Sequence, residues 1–172
     1  MPERRLRIVM VWDGDYPWDV RVEKVCTTLI ASGHEVHLVC RNSAGKPRRE
    51  DIGGIHVRRV FSLGSRWPRL NALLTFPAFF SPIWLLEIRA AISQINPDLV
   101  IIRDLPIALA CIPFARRRKI PLVLDMAECY PEMLRCAWRF EGFRLANVLV
   151  RNPWLADRIE RIAALARKIA PL

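Results

Sequence analysis

Residues 6–12, LRIVMVW, followed by residues 13–19, DGDYPWD, decide the fold of this chain. The first stretch is a short, continuous apolar run that ends in a turn signal, Asp-Gly-Asp. Such a run is typical of a β-strand that is covered on both faces, as in a parallel sheet. The run is too short for a signal peptide. We therefore predict a buried strand with a loop at its carboxyl end.

The residues after this loop have the periodicity of an amphipathic helix and then of a second strand. Asp19 is a suitable N-cap for the helix, and Gly33 is a suitable stop. Residues 35–40, EVHLVC, form the next apolar stretch. The order strand, helix, strand predicts a right-handed parallel crossover. The apolar helix face consists of Val22, Val25, Cys26, Leu29 and Ile30.

The rest of the chain continues this alternation of strands and helices. We predict strands at 55–61, 99–102 and 121–124, helices at 106–118 and 155–169, and a polar loop at 41–54. The predicted fold class is α/β, a doubly wound, mostly parallel sheet with helices on both faces.

The composition favours an anionic partner. The 172 residues include 27 Lys and Arg and 17 Asp and Glu, which gives a formal net charge of +10. Nucleic acid is disfavoured, because the basic run at 116–119 is explained as the end of a helix and no DNA-reading helix accompanies it. The five cysteines have no paired spacing and therefore predict a reducing, cytoplasmic compartment.

Ligands of doubly wound sheets bind at the carboxyl ends of the strands. The loop at 13–19 lacks a GxGxxG pattern, and its three aspartates would repel phosphate, so a sugar suits it better than a nicotinamide or flavin cofactor. A plain turn with a capping aspartate is the alternative. Arg21 also fits a solvated pair with Glu23. The candidate residues of this region are Gly14, Asp15, Tyr16 and Arg21.

Charged residues also follow the two later strands. Arg103 and Asp104 are placed for ligand contact, although Asp104 also fits a cap of the following helix. The carboxylates near the last strand suit acid–base work or hydroxyl binding, or else a turn and helix start. No catalytic residue is assigned. The candidates at the last strand are Asp125, Glu128, Tyr130 and Glu132.

Residues 70–86 contain no charged side chain. Three interpretations remain open: a core helix, a segment that docks on a membrane surface, and a membrane span. The length is at the short limit for a span, and Pro77 and Pro82 argue against a simple spanning helix. Nearby Arg66 and Arg69, together with aromatic residues, are typical of an interfacial segment.

The three histidines, His34, His37 and His56, have no metal-ligand spacing along the chain. We interpret them as structural residues and predict no metal.

Several segments resemble glycosyltransferase family 4 proteins, and the resemblance runs over nearly the whole chain. The most specific pieces are the first loop with its helix and the Glu-Tyr-Pro-Glu segment. The segments are DYPWDVRVEK at 15–24, ASGHEV at 31–36, PDLV at 97–100, RDLP at 103–106, DMAECYPE at 125–132 and VRNP at 150–153.

The resemblance implies a GT-B architecture with two Rossmann-like domains, of which the N-terminal one binds the acceptor. It implies transfer from a nucleotide-sugar donor with retention of configuration, no tightly bound cofactor, and a glycan or lipid-linked acceptor. Many members build bacterial cell-surface polysaccharides, which implies a peripheral location at the inner membrane face. The resemblance departs at Arg103 and Ala127, where many relatives carry histidine.

The chain ends about where relatives enter the next strand of the same domain. A two-domain enzyme needs roughly twice this length. We therefore expect residues 1–172 to be a truncated N-terminal domain, inactive without a C-terminal donor domain elsewhere. The alternatives are a non-catalytic membrane-surface module and an inactive gene fragment.

Overall fold

The computed structural model describes residues 4–17, 19–63, 66–75 and 81–126, together with the isolated positions 135, 157, 158 and 161. The predicted helix at 155–169 otherwise lies outside this part of the chain. The elements are β1 (Arg7–Asp15), α1 (Val20–Ala31), β2 (Glu35–Arg41), β3 (Arg49–Ile52), β4 (Ile55–Arg59), α2 (Pro68–Thr75), α3 (Pro82–Ile95), β5 (Leu99–Arg103), α4 (Leu105–Arg117) and β6 (Leu122–Asp125).

The strands form one six-stranded sheet in the order β3-β4-β2-β1-β5-β6. All neighbours are parallel except β3, which is antiparallel to β4. The chain winds outward from β1 through β2 to β4, and then resumes on the other side of β1 with β5 and β6. The predicted doubly wound α/β sheet is confirmed, and its direction of winding reverses between β1 and β5.

Helices cover both faces of the sheet, which explains the unbroken apolar run of β1. Ile8 and Met10 pack with the apolar side chains of α1 on one face. Val9 and Val11 pack with residues of α3 and α4 on the other face. Successive strand residues point to opposite faces, so the four consecutive residues 8–11 are all buried.

Helix α1 begins and ends as the sequence predicts. The Asp19 carboxylate accepts hydrogen bonds from the backbone N–H groups of Arg21, at 3.0 Å, and Val22, at 2.8 Å. At the other end, Gly33 has a φ of 87°, and its N–H donates to the Ile30 carbonyl at 2.9 Å. A residue with a side chain rarely adopts this left-handed conformation, so glycine ends the helix.

The prediction of a loop at 41–54 is wrong in part, because it contains strand β3. Gly53 and Gly54, with φ of 58° and 84°, turn the chain so that Arg49–Ile52 pairs with β4. The polar sequence REDI has low strand propensity, and it is the pairing with β4 that makes it a strand. The hairpin is tied to α3 by Glu87, which pairs with Arg48 at 2.5 Å and also with Arg58.

The uncharged segment at 70–86 is divided between two helices. Trp84 of α3 is fully buried in the core, as the core interpretation predicts. Leu70 and Leu74 of α2 are exposed instead. Among the described residues, no helix combines the length and apolar character needed to cross a bilayer.

Candidate functional site

The polar residues at the carboxyl ends of four adjacent strands lie along one edge of the sheet. Strand register places Asp15 beside Arg41 and places Arg103 beside Asp125. This edge spans the point between β1 and β5 where the winding reverses, which is where ligands bind in open α/β sheets. We call the group the carboxyl-edge site. It consists of Asp13, Asp15, Arg41, Arg103, Asp104 and Asp125.

Asp13 and Arg41 form the first ion pair of the site. Nη2 of Arg41 lies 2.5 Å from Oδ1 of Asp13, and Nε lies 3.1 Å from the same oxygen. Burial raises the pKa of Asp13 above the ordinary aspartate value, the Arg41 guanidinium lowers it, and the charges of Asp104 and Asp15 raise it further. Asp104 and Asp15 are therefore close enough to Asp13 for their charges to act on it.

Arg103 and Asp125 form the second ion pair. The Arg103 guanidinium is buried and donates through Nη1 to Oδ2 of Asp125 at 2.8 Å. The Asp125 carboxylate is partly exposed. An ionised carboxylate has about four lone-pair sites, so Asp125 retains acceptor capacity for further hydrogen bonds.

Asp104 has a strained backbone at the junction of β5 and α4. Its φ of 70° and ψ of 148° lie in a region that is nearly reserved for glycine. Its N–H donates to the Asp125 carbonyl at 3.1 Å, which helps to hold this conformation. Asp104 occupies the N-cap position of α4, as the alternative interpretation predicts, but its side chain makes no capping hydrogen bond to the helix.

The candidates of the first loop divide between the site and the core. Asp15 is exposed and accepts a hydrogen bond from the Ser43 N–H at 2.6 Å. Gly14 lies against the Trp12 indole, because a Cβ there would come within 2.2 Å of the ring. Arg21 is exposed on the first turn of α1.

Tyr16 is 2% exposed and packs in the core beside α1. The aromatic ring is covered by apolar neighbours, so a ligand contact of Tyr16 would have to involve its backbone. Burial also raises the pKa of the Tyr16 hydroxyl. Its carbonyl, in contrast, connects the first loop to the rest of the molecule.

Arg59 makes that connection, although no sequence motif marks it as a functional residue. It is 1% exposed and donates to the Tyr16 carbonyl at 3.1 Å and to the Pro47 carbonyl at 2.8 Å. It also pairs with Glu50 at 2.8 Å. The one sequence feature that could have indicated its burial is its position in β4. It lies two residues after the buried Val57 and is therefore on the same face of the strand.

The carboxyl-edge site contains four carboxylates and two guanidinium groups, although the chain as a whole is strongly basic. Such an edge repels phosphate and can accept hydrogen bonds from hydroxyl groups. The candidates Glu128, Tyr130 and Glu132 lie outside the described residues. A group with metal-ligand chemistry, Glu35, His37 and His56, lies toward the amino ends of the strands instead.

Comparison with known protein families gives a match over most of the chain. A family model described as a glycosyl transferase 4-like domain matches residues 19–171. The chain belongs to this family. A search of curated proteins found no match.

Two solved structures show the fold of this family member. A sucrose-phosphate synthase from Thermosynechococcus elongatus has 11% identity and a TM-score of 0.58, over 92% of this chain and 40% of that one. CalG4, the calicheamicin glycosyltransferase, has 18% identity and a TM-score of 0.57, over 98% of this chain and 46% of that one. The fold is that of a GT-B N-terminal Rossmann-like domain, and the chain spans less than half of either structure.

Proposed function

We propose that this chain is the acceptor-binding part of a retaining glycosyltransferase. The enzyme would move a sugar from a nucleotide-sugar to a glycan or lipid-linked acceptor in bacterial cell-surface polysaccharide synthesis. The observation that carries the proposal is the acidic carboxyl-edge site on a GT-B N-terminal fold. The retention of configuration and the pathway rest on the family resemblance.

The chemistry of the site favours an acceptor with several hydroxyl groups. Carboxylates accept charge-assisted hydrogen bonds from hydroxyls, which are roughly twice as strong as neutral ones. Arg41 and Arg103 hold the carboxylates of Asp13 and Asp125 in fixed positions. Preorganised acceptors of this kind reduce the entropy that is lost when a flexible sugar binds.

We assign the donor to a second domain outside these residues. The carboxylates of the edge disfavour a nucleotide diphosphate on this domain. Two domains that orient donor and acceptor convert a bimolecular reaction into an effectively unimolecular one, which supplies much of the rate. The chain by itself would therefore bind an acceptor without transferring sugar.

Saturation-transfer NMR with glycans and polyprenyl-linked sugars tests the proposal. We expect acceptor binding that weakens roughly 10- to 100-fold in Asp104→Asn and in Asp15→Asn, because each loses a charged hydrogen-bond acceptor. Asp51→Asn, on the exposed strand β3, is the matched control and should bind as the wild type does. Tight binding of a nucleotide-sugar by this chain, or acceptor binding unchanged in both variants, would contradict the proposal.

We also propose that helix α2 docks this domain on an anionic membrane surface. Trp67 precedes the helix and is 57% exposed, and Leu70 and Leu74 are exposed on the helix itself. Arg66 and Arg69 are exposed beside them. Apolar and aromatic side chains flanked by basic residues favour the interface of an anionic bilayer.

Co-sedimentation with vesicles measures this docking. Vesicles that contain phosphatidylglycerol should bind the protein better than vesicles of phosphatidylcholine alone, because the basic side chains add electrostatic attraction. Trp67→Ser should lose binding. Leu86→Ser, on the exposed side of α3, is the control. Equal vesicle binding by the two variants would contradict the assignment of α2 as the docking element.

A further inference from the structure

The sheet places four side chains of metal-binding type in a row across three adjacent strands. Asp51 of β3 is directly opposite His56 of β4, and His56 is in turn opposite His37 of β2. Glu35 lies two residues before His37 and therefore on the same face of β2. Because the four residues come from three strands, their spacing along the chain carries no metal signature.

The contacts in this row are those of a nearly assembled site. One ligand atom each from Glu35, His37 and His56 lie within 4.8 Å of one another. Nε2 of His37 is 2.8 Å from Oε1 of Glu35, and the two imidazole rings are 4.8 Å apart between centroids. Ligand atoms around a tetrahedral zinc ion are about 3.4 Å apart, so small side-chain rotations would complete the coordination.

Asp51 has the position of an outer-shell residue. Its carboxylate is hydrogen-bonded to Nδ1 of His56, which leaves Nε2 of the same ring to bind a metal. A carboxylate on the second nitrogen is the usual partner of a metal-binding histidine, because it fixes the tautomer and the ring orientation. His56 is 47% exposed, so the row is open to an ion from solvent.

We propose that Glu35, His37 and His56 bind a divalent transition metal ion, with zinc as the best fit, and that Asp51 orients His56. Two imidazoles and one carboxylate form a donor set that suits zinc and leaves a fourth position for water. The ion would link β2 to β4 far from the carboxyl-edge site, so it would stabilise the sheet without taking part in sugar transfer. This proposal replaces the sequence-based prediction of no metal.

Calorimetric titration of the untagged protein with Zn²⁺ tests the site. Cys129 and Cys136 lie outside the described residues, and they are replaced by serine in every protein compared so that thiols do not bind the metal. We expect one equivalent of Zn²⁺ to bind and to raise the melting temperature. Co²⁺ should give an absorption band of a four-coordinate site.

Three variants decide the assignment. His56→Ala should lose stoichiometric binding, and Asp51→Asn, exposed enough to fold normally, should bind roughly 10- to 100-fold more weakly. His34→Gln is the control and should bind as the parent protein does, because His34 is not part of the row. Absence of binding by the parent protein, or unchanged binding in both His56→Ala and Asp51→Asn, would overturn the proposal.

Discussion

At the scale of single residues, Arg59 connects two of the loops that form the carboxyl end of the sheet. Its guanidinium is enclosed, and its partners are two backbone carbonyls and one carboxylate, those of Tyr16, Pro47 and Glu50. If the arginine were removed, these buried carbonyls would lack a hydrogen-bond donor, and the free-energy cost of removing them from water would no longer be offset. This arginine is therefore a positioning residue, and it does not itself face the site.

Arg59→Met tests that role. We expect a loss of about 3 kcal/mol in the free energy of unfolding, because two carbonyls lose hydrogen bonds from a charged group. Urea titration measures the loss, and Arg21→Met, an exposed arginine on α1, is the matched control. A cost for Arg59→Met no larger than that of the control would contradict the assignment.

The backbone of Asp104 is a second feature of residue scale. A non-glycine residue in this region costs on the order of 1–3 kcal/mol. Asp104→Gly should therefore raise the free energy of unfolding by about 1 kcal/mol, since the relief of strain exceeds the entropy cost of glycine.

The same variant should weaken acceptor binding, because the carboxylate is lost. Asp104→Asn separates the two effects, since it removes the charge and keeps the strain. Urea titration of both variants gives the comparison. A glycine variant that is less stable than the asparagine variant would show that the strain has no energetic consequence.

At the scale of elements, Asp98 joins the beginnings of β1 and β5. Its carboxylate accepts the Arg7 N–H at 2.9 Å, and its own N–H donates to the Arg7 carbonyl at 2.8 Å. The Arg7 N–H bond, with Arg4 and Arg7 nearby, lowers the pKa of Asp98 below the ordinary value of 3.8. The carboxylate thus stabilises the pairing of the two strands in its charged form.

This lowered pKa predicts an acid sensitivity with a definite sign. A carboxyl group whose pKa is lower in the folded state stabilises the fold above its unfolded pKa, and the contribution is lost as pH falls through the folded value. As the pH falls from about 5 through the lowered folded pKa of Asp98, Asp98→Asn should therefore lose less stability than the wild type. The measurement is the urea midpoint of both proteins over this pH range. Midpoints that fall in parallel with pH would contradict the prediction.

At the scale of the whole molecule, the centre of the sheet is the most protected region. β1 lies between β2 and β5 and is covered on both faces, whereas β3 is a four-residue strand at the edge with mostly exposed side chains. Local openings need less free energy where few apolar contacts are broken. The free energy of local opening should therefore decrease from β1 toward β3.

Amide hydrogen exchange measures this gradient directly. Exchange should be slowest at Val9–Val11 and at Val100–Ile102, and it should be much faster at Arg49–Ile52. Addition of Zn²⁺ provides an internal comparison, because an ion that links β2 to β4 should slow exchange beside β3. Equal protection of β1 and β3 without metal would contradict the gradient.

Much of the fold can be predicted from local sequence patterns, because a strand that is buried on both faces has a continuous apolar sequence. The apolar run at 6–12, the cap at Asp19 and the stop at Gly33 are each specified by near neighbours. Strand β3 was missed because its residues become a strand only through pairing with β4. The burial of Tyr16 and Arg59 was not predicted for a related reason, since both are polar residues whose burial depends on partners that are distant in sequence.

The sequence alone determined the alternation of strands and helices and the doubly wound sheet, and it predicts the loops at which a ligand would bind. These features depend on periodicity and on short-range hydrogen bonds, which the order of residues encodes directly. The tertiary structure decided which charges meet. It paired Asp13 with Arg41 and Arg103 with Asp125, and it aligned Asp51, His56, His37 and Glu35, because strand register joins residues that the chain itself keeps apart.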